Sequence, residues 1–368
     1  MSNWKIRVLD LEPSTQCNAA CPMCARSFQG LANTSVPVAN LRPEALVTLR
    51  PLLNNLERLS MCGNYGDPIL NADLTSLIDY CTSINKDCST IIHTNGGARN
   101  VQWWQRLAQY PNLKVRFGID GLEDTNSLYR RKVRWDILER NYRAFISAGG
   151  TAEWKMIVFG HNQHQVEACR QRAKEEGFSN FSYVVTNRFT QGDKTVFTMH
   201  PDAEDVTPLT AADIDFDPAA FSASHSQRVK GVYSNGQYKQ EDASKPTIDG
   251  TPKPIAQRKF AYSDHVVPAE NNISCYTQAE GIVYVSAAGD LYPCCHLGYP
   301  YGGQNKYDEL EWLDKSKINL YNNSSDDVFA WFDEVERRWS QSNCLGTCTK
   351  VCSTAGKPNL YAVEELKG

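Results

Sequence analysis

From about residue 5 to residue 190, short apolar runs alternate with longer segments whose apolar positions recur at helical spacing. The pattern predicts strands over 6–11, 56–62, 90–94, 114–119, 153–159 and 181–186. Between them it predicts helices over 43–55, 73–84, 101–110, 135–148 and 163–176. Pro43 stands at a first-turn position that favours helix entry, and Gly149-Gly150 and Gly177 are natural helix stops. Strands and helices in strict alternation imply a parallel sheet with right-handed crossovers. The fold class is therefore α/β. Six such units are too few for a closed eight-unit barrel, so the arrangement stays open on one side.

Residues 191–270 break the pattern. They are rich in Asp, Ser, Thr, Pro and Gly, and read as a polar insertion or linker that could serve as a lid. The remainder, 271–368, reads as a small α+β unit: a strand over 281–286, a turn over 287–290, a return strand over 291–294 and a helix over 326–339. The expected domains are thus 1–190, 191–270 and 271–368.

At 368 residues the chain can bury one large core and a smaller one. A net charge of −4 gives no electrostatic footprint for non-specific nucleic-acid binding. No apolar stretch reaches membrane-spanning length, and the N-terminus carries no secretory pattern, so a cytoplasmic location is expected.

Thiol chemistry changes the picture most. Of 13 cysteines, three fall at Cys17, Cys21 and Cys24, directly after the first strand. An odd total in an intracellular chain argues against disulfides. Structural zinc wants four closed ligands, and no fourth Cys or His lies nearby in sequence. Three thiolates can instead hold three irons of a 4Fe–4S cube and leave the fourth open. This CxxxCxxC spacing after a first strand resembles the signature of the radical S-adenosylmethionine (SAM) superfamily. The resemblance implies a partial (β/α)6 TIM-like barrel, a SAM-binding 4Fe–4S cluster and SAM itself as cofactors. It also implies reductive cleavage of SAM to a 5′-deoxyadenosyl radical, which abstracts hydrogen from a substrate.

Further segments fit that resemblance, each at the carboxyl end of a predicted strand. Gly63-Asn64-Tyr65-Gly66-Asp67 is similar to the Gly-Gly-Glu motif whose backbone carbonyls accept from the SAM amino group; Asp67 replaces the usual Glu. Thr94 and Asn95 resemble a strand end that lies near SAM. Asp120 belongs to a Gly118-Ile119-Asp120-Gly121 turn resembling Ser-x-Asp-Gly, with Gly118 in place of the serine. Asp120 could accept from ribose hydroxyls or shape the turn, and either Arg130 or Arg131 could hold the SAM carboxylate. Met23 stands where the family packs a side chain against adenine. Tyr65, Glu153, Lys155 and His161 lie near strand ends but receive no catalytic role, and His93 is expected to be a packed histidine.

Six more cysteines lie in the last hundred residues. A cysteine before a hairpin, then Gly289 and Cys294, resembles the start of SPASM and twitch extensions. The shorter cysteine set implies one auxiliary 4Fe–4S cluster. The implied ligands are Cys275, Cys294, Cys344 and Cys348, with Cys352 as a further candidate. Cys295 is expected on the opposite strand face from Cys294. Cys62, Cys81, Cys88 and Cys169 are expected as ordinary thiols, although Cys62 adjoins the SAM loop. The resemblance implies a flavodoxin- or ferredoxin-like electron donor and a peptide or small-molecule substrate. It also implies that a peptide would be recognised directly or through a partner, since strand one starts near residue 6. The alternatives are an iron–sulfur electron-transfer protein or a zinc-stabilised binding protein on the same scaffold.

Overall fold

The computed structural model describes residues 5–186, 189, 196–213, 273–298, 310, 313–339 and 344–352. Six parallel strands follow chain order: β1 (Val8–Leu11), β2 (Arg58–Met61), β3 (Ser89–Thr94), β4 (Leu113–Gly118), β5 (Thr151–Val158) and β6 (Asn180–Val185). Residues on each strand alternate between two environments. One set, including Leu9, Leu11, Met61, Ile92, Val115, Phe117, Trp154 and Met156, is fully buried in the main core. The other, including Asp10, Ser60, His93, Arg116 and Lys155, is only partly buried.

The crossover helices are α1 (Glu44–Leu49), α2 (Leu74–Ile84), α3 (Val101–Leu107), α4 (Asn126–Tyr129), α5 (Trp135–Ser147) and α6 (Val166–Glu175). Helix α2 buries Leu74, Leu77, Ile78 and Cys81, the i, i+3, i+4, i+7 stripe of an amphipathic helix. Asn100 caps α3 by accepting from the Trp103 amide at 2.9 Å. The helix expected over 43–55 is split. Pro51 has no amide hydrogen to continue the α ladder, and Arg50–Asn55 winds as a 3-10 helix.

The C-terminal hairpin joins the main sheet. Strand β9 (Ile282–Val285) runs parallel to β1, with Val8 opposite Ile282 and Leu11 opposite Val285. Strand β10 (Leu291–Tyr292) pairs antiparallel with β9. The sheet therefore has eight strands in the order β10-β9-β1-β2-β3-β4-β5-β6, and β1 is interior to it. Gly281 makes this pairing possible. Its φ is +65°, its carbonyl accepts from the Arg7 and Val8 amides, and a Cβ there would strike the Lys5 carbonyl.

Part of the expected polar insertion is ordered. Strands β7 (Val196–Phe197) and β8 (Leu209–Thr210) form a small antiparallel pair. It packs on the cysteine loop through Phe28 and Phe197, whose rings meet edge to face at 5.5 Å, and through the bond from the His200 amide to the Gln29 carbonyl. The reading of 214–272 as linker or lid lies outside the described residues. Three short or late helices complete the chain: α7 (Tyr276–Glu280), α8 (Ser325–Arg338, capped by Ser324) and α9 (Gly346–Cys352). No helix among the described residues is long and apolar enough to cross a membrane.

Candidate functional site

The cysteine loop leaves the carboxyl end of β1 and is held in place by short-range bonds. The Cys24 amide donates to the Cys21 carbonyl at 3.0 Å, and the Ser27 hydroxyl donates to the same carbonyl at 3.0 Å. Polar donors are aimed at the sulfurs. Cys17 Sγ receives the Ala19 amide at 3.4 Å and Asn95 Nδ2 at 3.7 Å, and Arg130 Nη1 stands 4.0 Å from Cys21 Sγ. Burial raises both thiols above the ordinary range, Cys21 to about 11 with Arg130 opposing the rise. A group that takes three thiolates would overcome this burial cost with its own positive charge.

The other strand ends converge on this loop. Asp67 is buried and spans two of them: its Oδ2 accepts from the Asn95 amide at 2.7 Å and its Oδ1 from the Ile69 amide at 3.2 Å. Thr94 caps the turn by accepting from the Gly96 amide, and Asn95 Nδ2 also donates to Asn18 Oδ1 at 3.0 Å. Met23 is buried in a satellite cluster with Cys21, Tyr129, Phe159 and Met199.

The two arginines separate cleanly. Arg130 Nε pairs with Asp120 Oδ2 at 2.6 Å, and its guanidinium lies over Gly118. A Cβ at Gly118 would come within 2.5 Å of Arg130 Nη2, so the departure to glycine makes room for this arginine. Arg131 is committed elsewhere: Nη1 donates to the Asp205 carbonyl at 2.6 Å and Nη2 to the Thr207 carbonyl at 2.7 Å. It anchors the β7–β8 segment. Asp120 is fully buried, and its Oδ1 accepts from the Ile157 amide at 2.6 Å. With both oxygens engaged inside the protein, Asp120 shapes the turn and aims Arg130. Of the two expected roles, accepting from a ribose or shaping the turn, its full burial and these two bonds favour the second.

Glu12 is the residue that sequence reading missed. It is 1 % exposed and accepts from three consecutive amides: Asn64 at 2.7 Å, Tyr65 at 2.9 Å and Gly66 at 3.1 Å. Tyr284 Oη on β9 donates to it at 2.9 Å, and Asn64 Nδ2 donates to that Tyr284 oxygen at 3.2 Å. Burial raises the Glu12 carboxyl to about 7 against the pull of these donors. An acid closing the first strand just before the cysteine loop, two residues after Asp10, was the available signal. The same chemistry continues below it, where Cys62 Sγ donates to Asp10 Oδ1 at 3.0 Å and burial raises Asp10 to about 6.

Of the remaining side chains, His93 is held neutral, lowered to about 3 by burial and by Arg116 and Lys155, as fits a packed histidine. Glu153 is bound by Arg116 at 2.7 Å and Lys114 at 3.2 Å. His161 stacks on Phe159 and is lowered to about 4 by burial.

A second thiol group forms at the C-terminal end. Cys275, Cys294, Cys348 and Cys352 open onto one small cavity with Pro293 and Trp339. Cys344, expected as a ligand, is absent from that wall. It is buried in the core and receives the Thr349 hydroxyl at 3.6 Å. Cys348 and Cys352 are on α9, one turn apart, which places both thiols on one helix face. Cys275 is lowered to about 6 chiefly because Cys352 donates to it. Among the described residues no three His, Cys, Asp or Glu side chains stand close enough to hold a single metal ion.

Residues 11–173 match the Radical SAM superfamily. A 4Fe–4S cluster and SAM are the cofactors of that superfamily, and the matched region holds Cys17, Cys21, Cys24 and the carboxyl ends of β1 to β5. No curated protein matches the chain. Among solved structures, Streptococcus suis SuiB bound to precursor peptide SuiA is 13% identical, with a TM-score of 0.51 over 89% of this chain and 66% of that one. The structure of anSMEcpe with bound AdoMet and Kp18Cys peptide is 14% identical, with a TM-score of 0.50 over 94% of this chain and 88% of that one. The chain spans between 61% and 67% of the length of the SuiB structures. At these identities the likeness is one of fold: a partial TIM-like barrel of the radical SAM kind.

Proposed function

We propose that this protein is a radical SAM enzyme that acts on a peptide substrate and carries one auxiliary 4Fe–4S cluster. The observation that carries the reading is the loop of Cys17, Cys21 and Cys24, with Asn95 and Arg130 aimed at its sulfurs, inside a region matching the superfamily. Bound there, the cluster and SAM would supply a 5′-deoxyadenosyl radical that removes hydrogen from a substrate C–H bond. Cys17, Cys21 and Cys24 would be the three iron ligands, and the carbonyls of the Gly63–Asp67 loop would take the SAM amino group. Arg130 would meet the SAM carboxylate, with Asp120 keeping its guanidinium in position. Thr94 and Asn95 tie the third strand end to the cysteine loop, and Met23 offers an apolar surface to adenine.

The auxiliary cluster would be held by Cys275, Cys294, Cys348 and Cys352, whose thiols share one cavity. A peptide is favoured over a small molecule because structures of comparable fold from both SuiB and anSMEcpe contain bound peptides. A low-potential donor of the flavodoxin or ferredoxin kind would reduce the first cluster. An electron-transfer protein would need the first cluster fully ligated, which three thiols do not provide.

Anaerobic reconstitution with iron and sulfide, followed by addition of SAM and dithionite, tests the reading. About eight irons per chain and formation of 5′-deoxyadenosine are expected, with both cleavage and about four irons lost in Cys17→Ala. Absence of 5′-deoxyadenosine from iron-replete protein would overturn it.

A further inference from the structure

We infer that Glu12 and Tyr284 are positioning residues for SAM, through which the C-terminal hairpin sets the orientation of the SAM-binding loop. The inference rests on the radical SAM reading above. It starts from a simple property of the peptide unit: in a trans peptide the N–H of one residue and the C=O of the residue before it point in opposite directions. The amides of Asn64, Tyr65 and Gly66 all point at the Glu12 carboxylate. The carbonyls of Gly63, Asn64 and Tyr65 must therefore point away from it. Three successive amides gathered on one anion form a nest that fixes a loop whose sequence would otherwise leave it free to flip. Glu12 thereby fixes the direction of the acceptors offered to an ammonium group.

Glu12 does not hold this position alone. It lies on the strand-end side of β1, and β9 is paired to β1 residue by residue. Tyr284 on β9 donates to Glu12 Oε2 and accepts from Asn64 Nδ2, so one hydroxyl bridges the carboxylate and the loop it organises. Tyr284 is fully buried, and Gly298 packs against its ring. The residue that completes the SAM loop thus comes from the hairpin that also carries Cys294. The loop is incomplete in a chain whose hairpin is undocked. The charged and titratable groups facing Glu12 are Tyr284 from β9 and Cys62 from the end of β2, with Asp10 one step back on its own strand.

The test uses the full chain, reconstituted anaerobically, with Tyr284→Phe and Glu12→Gln. Tyr284→Phe removes one oxygen and keeps the packed ring. SAM dissociation constants are measured by calorimetry, with iron content and the electron paramagnetic resonance spectrum of the reduced, SAM-free protein as parallel readouts. The expected result is a five- to tenfold weaker SAM affinity in each variant, with iron content and the SAM-free spectrum unchanged. The double variant should lose no more than Glu12→Gln, because the tyrosine acts through the carboxylate. A merely structural role would lower iron content and thermal stability together with affinity. SAM affinity within twofold of wild type in both variants would overturn the inference while leaving the enzyme reading intact. Failure of iron-replete wild-type protein to bind SAM would overturn both.

Discussion

A glycine beside a buried guanidinium decides how the fourth strand end can work. Gly118 leaves the space that Arg130 occupies, and the expected cost of refilling it is specific. Gly118→Ser should displace Arg130 from Asp120 and weaken SAM binding at least tenfold, which calorimetry on reconstituted protein would detect. Arg130→Lys should not rescue binding, because an ammonium cannot keep the planar contact to Asp120 while reaching a second carboxylate. Glu12 gives a second prediction at this scale. Its carboxyl is raised from about 4.5 to about 7 in the folded protein, so folding favours the protonated form. That contribution is fully present below about pH 4.5 and is lost as pH climbs to 7. Denaturant titrations at pH 5 and pH 8 should show wild type losing about 2–3 kcal/mol more than Glu12→Gln across that interval. Equal pH slopes in the two proteins would contradict the buried, raised carboxyl.

Elements were legible where periodicity was strong and local. All six barrel strands and the helices after β2, β3, β4 and β5 lie within a few residues of their expected positions, because each buries a stripe that repeats along the chain. The misses have particular causes. Pro51 broke a helix whose apolar spacing ran on past it. The β7–β8 pair was hidden because its strands are two residues long and their contacts are with distant side chains. The choice between Arg130 and Arg131 could not be made from sequence, since adjacent residues differ only in which way the α4 turn delivers them. The structure ties Arg131 to the β7–β8 segment, and this is testable. Arg131→Met removes two hydrogen bonds from a charged donor to the 205–207 backbone, each of a kind worth about 1.5–3 kcal/mol. Faster amide exchange confined to 196–213, with iron content preserved, is the expected outcome by mass spectrometry. Faster exchange spread evenly over the barrel would argue against a local anchor.

For the whole molecule, the division expected near residue 271 does not describe the sheet. The hairpin of β9 and β10 continues it, burying Val283, Tyr284 and Val285 against the barrel. Nothing in the local sequence announced this, because a parallel pairing between the two ends of a chain leaves no signature in either strand. The cysteine assignment was legible in part for the same reason. The resemblance implied Cys275, Cys294, Cys344 and Cys348 with Cys352 as a further candidate, and the direction of α9 turns Cys348 and Cys352, not Cys344, onto the cavity shared with Cys275 and Cys294. Iron counts discriminate the two directly: Cys352→Ala should fall to about four irons per chain, whereas Cys344→Ala should keep about eight.

The interior position of β1 also orders events in time. A ribosome releases the cysteine loop early, yet the strand beside it, β9, is synthesised only after most of the chain. Pairings of such long sequence separation form late and slowly. Through synthesis, then, the edge of β1 stays bare and the Gly63–Asp67 loop lacks its tyrosine partner. Newly made chains have an interval in which the thiols of residues 17–24 are present and the SAM loop is not yet set. On the radical SAM reading, iron delivered in that interval would meet the three thiols before the loop they work with is fixed.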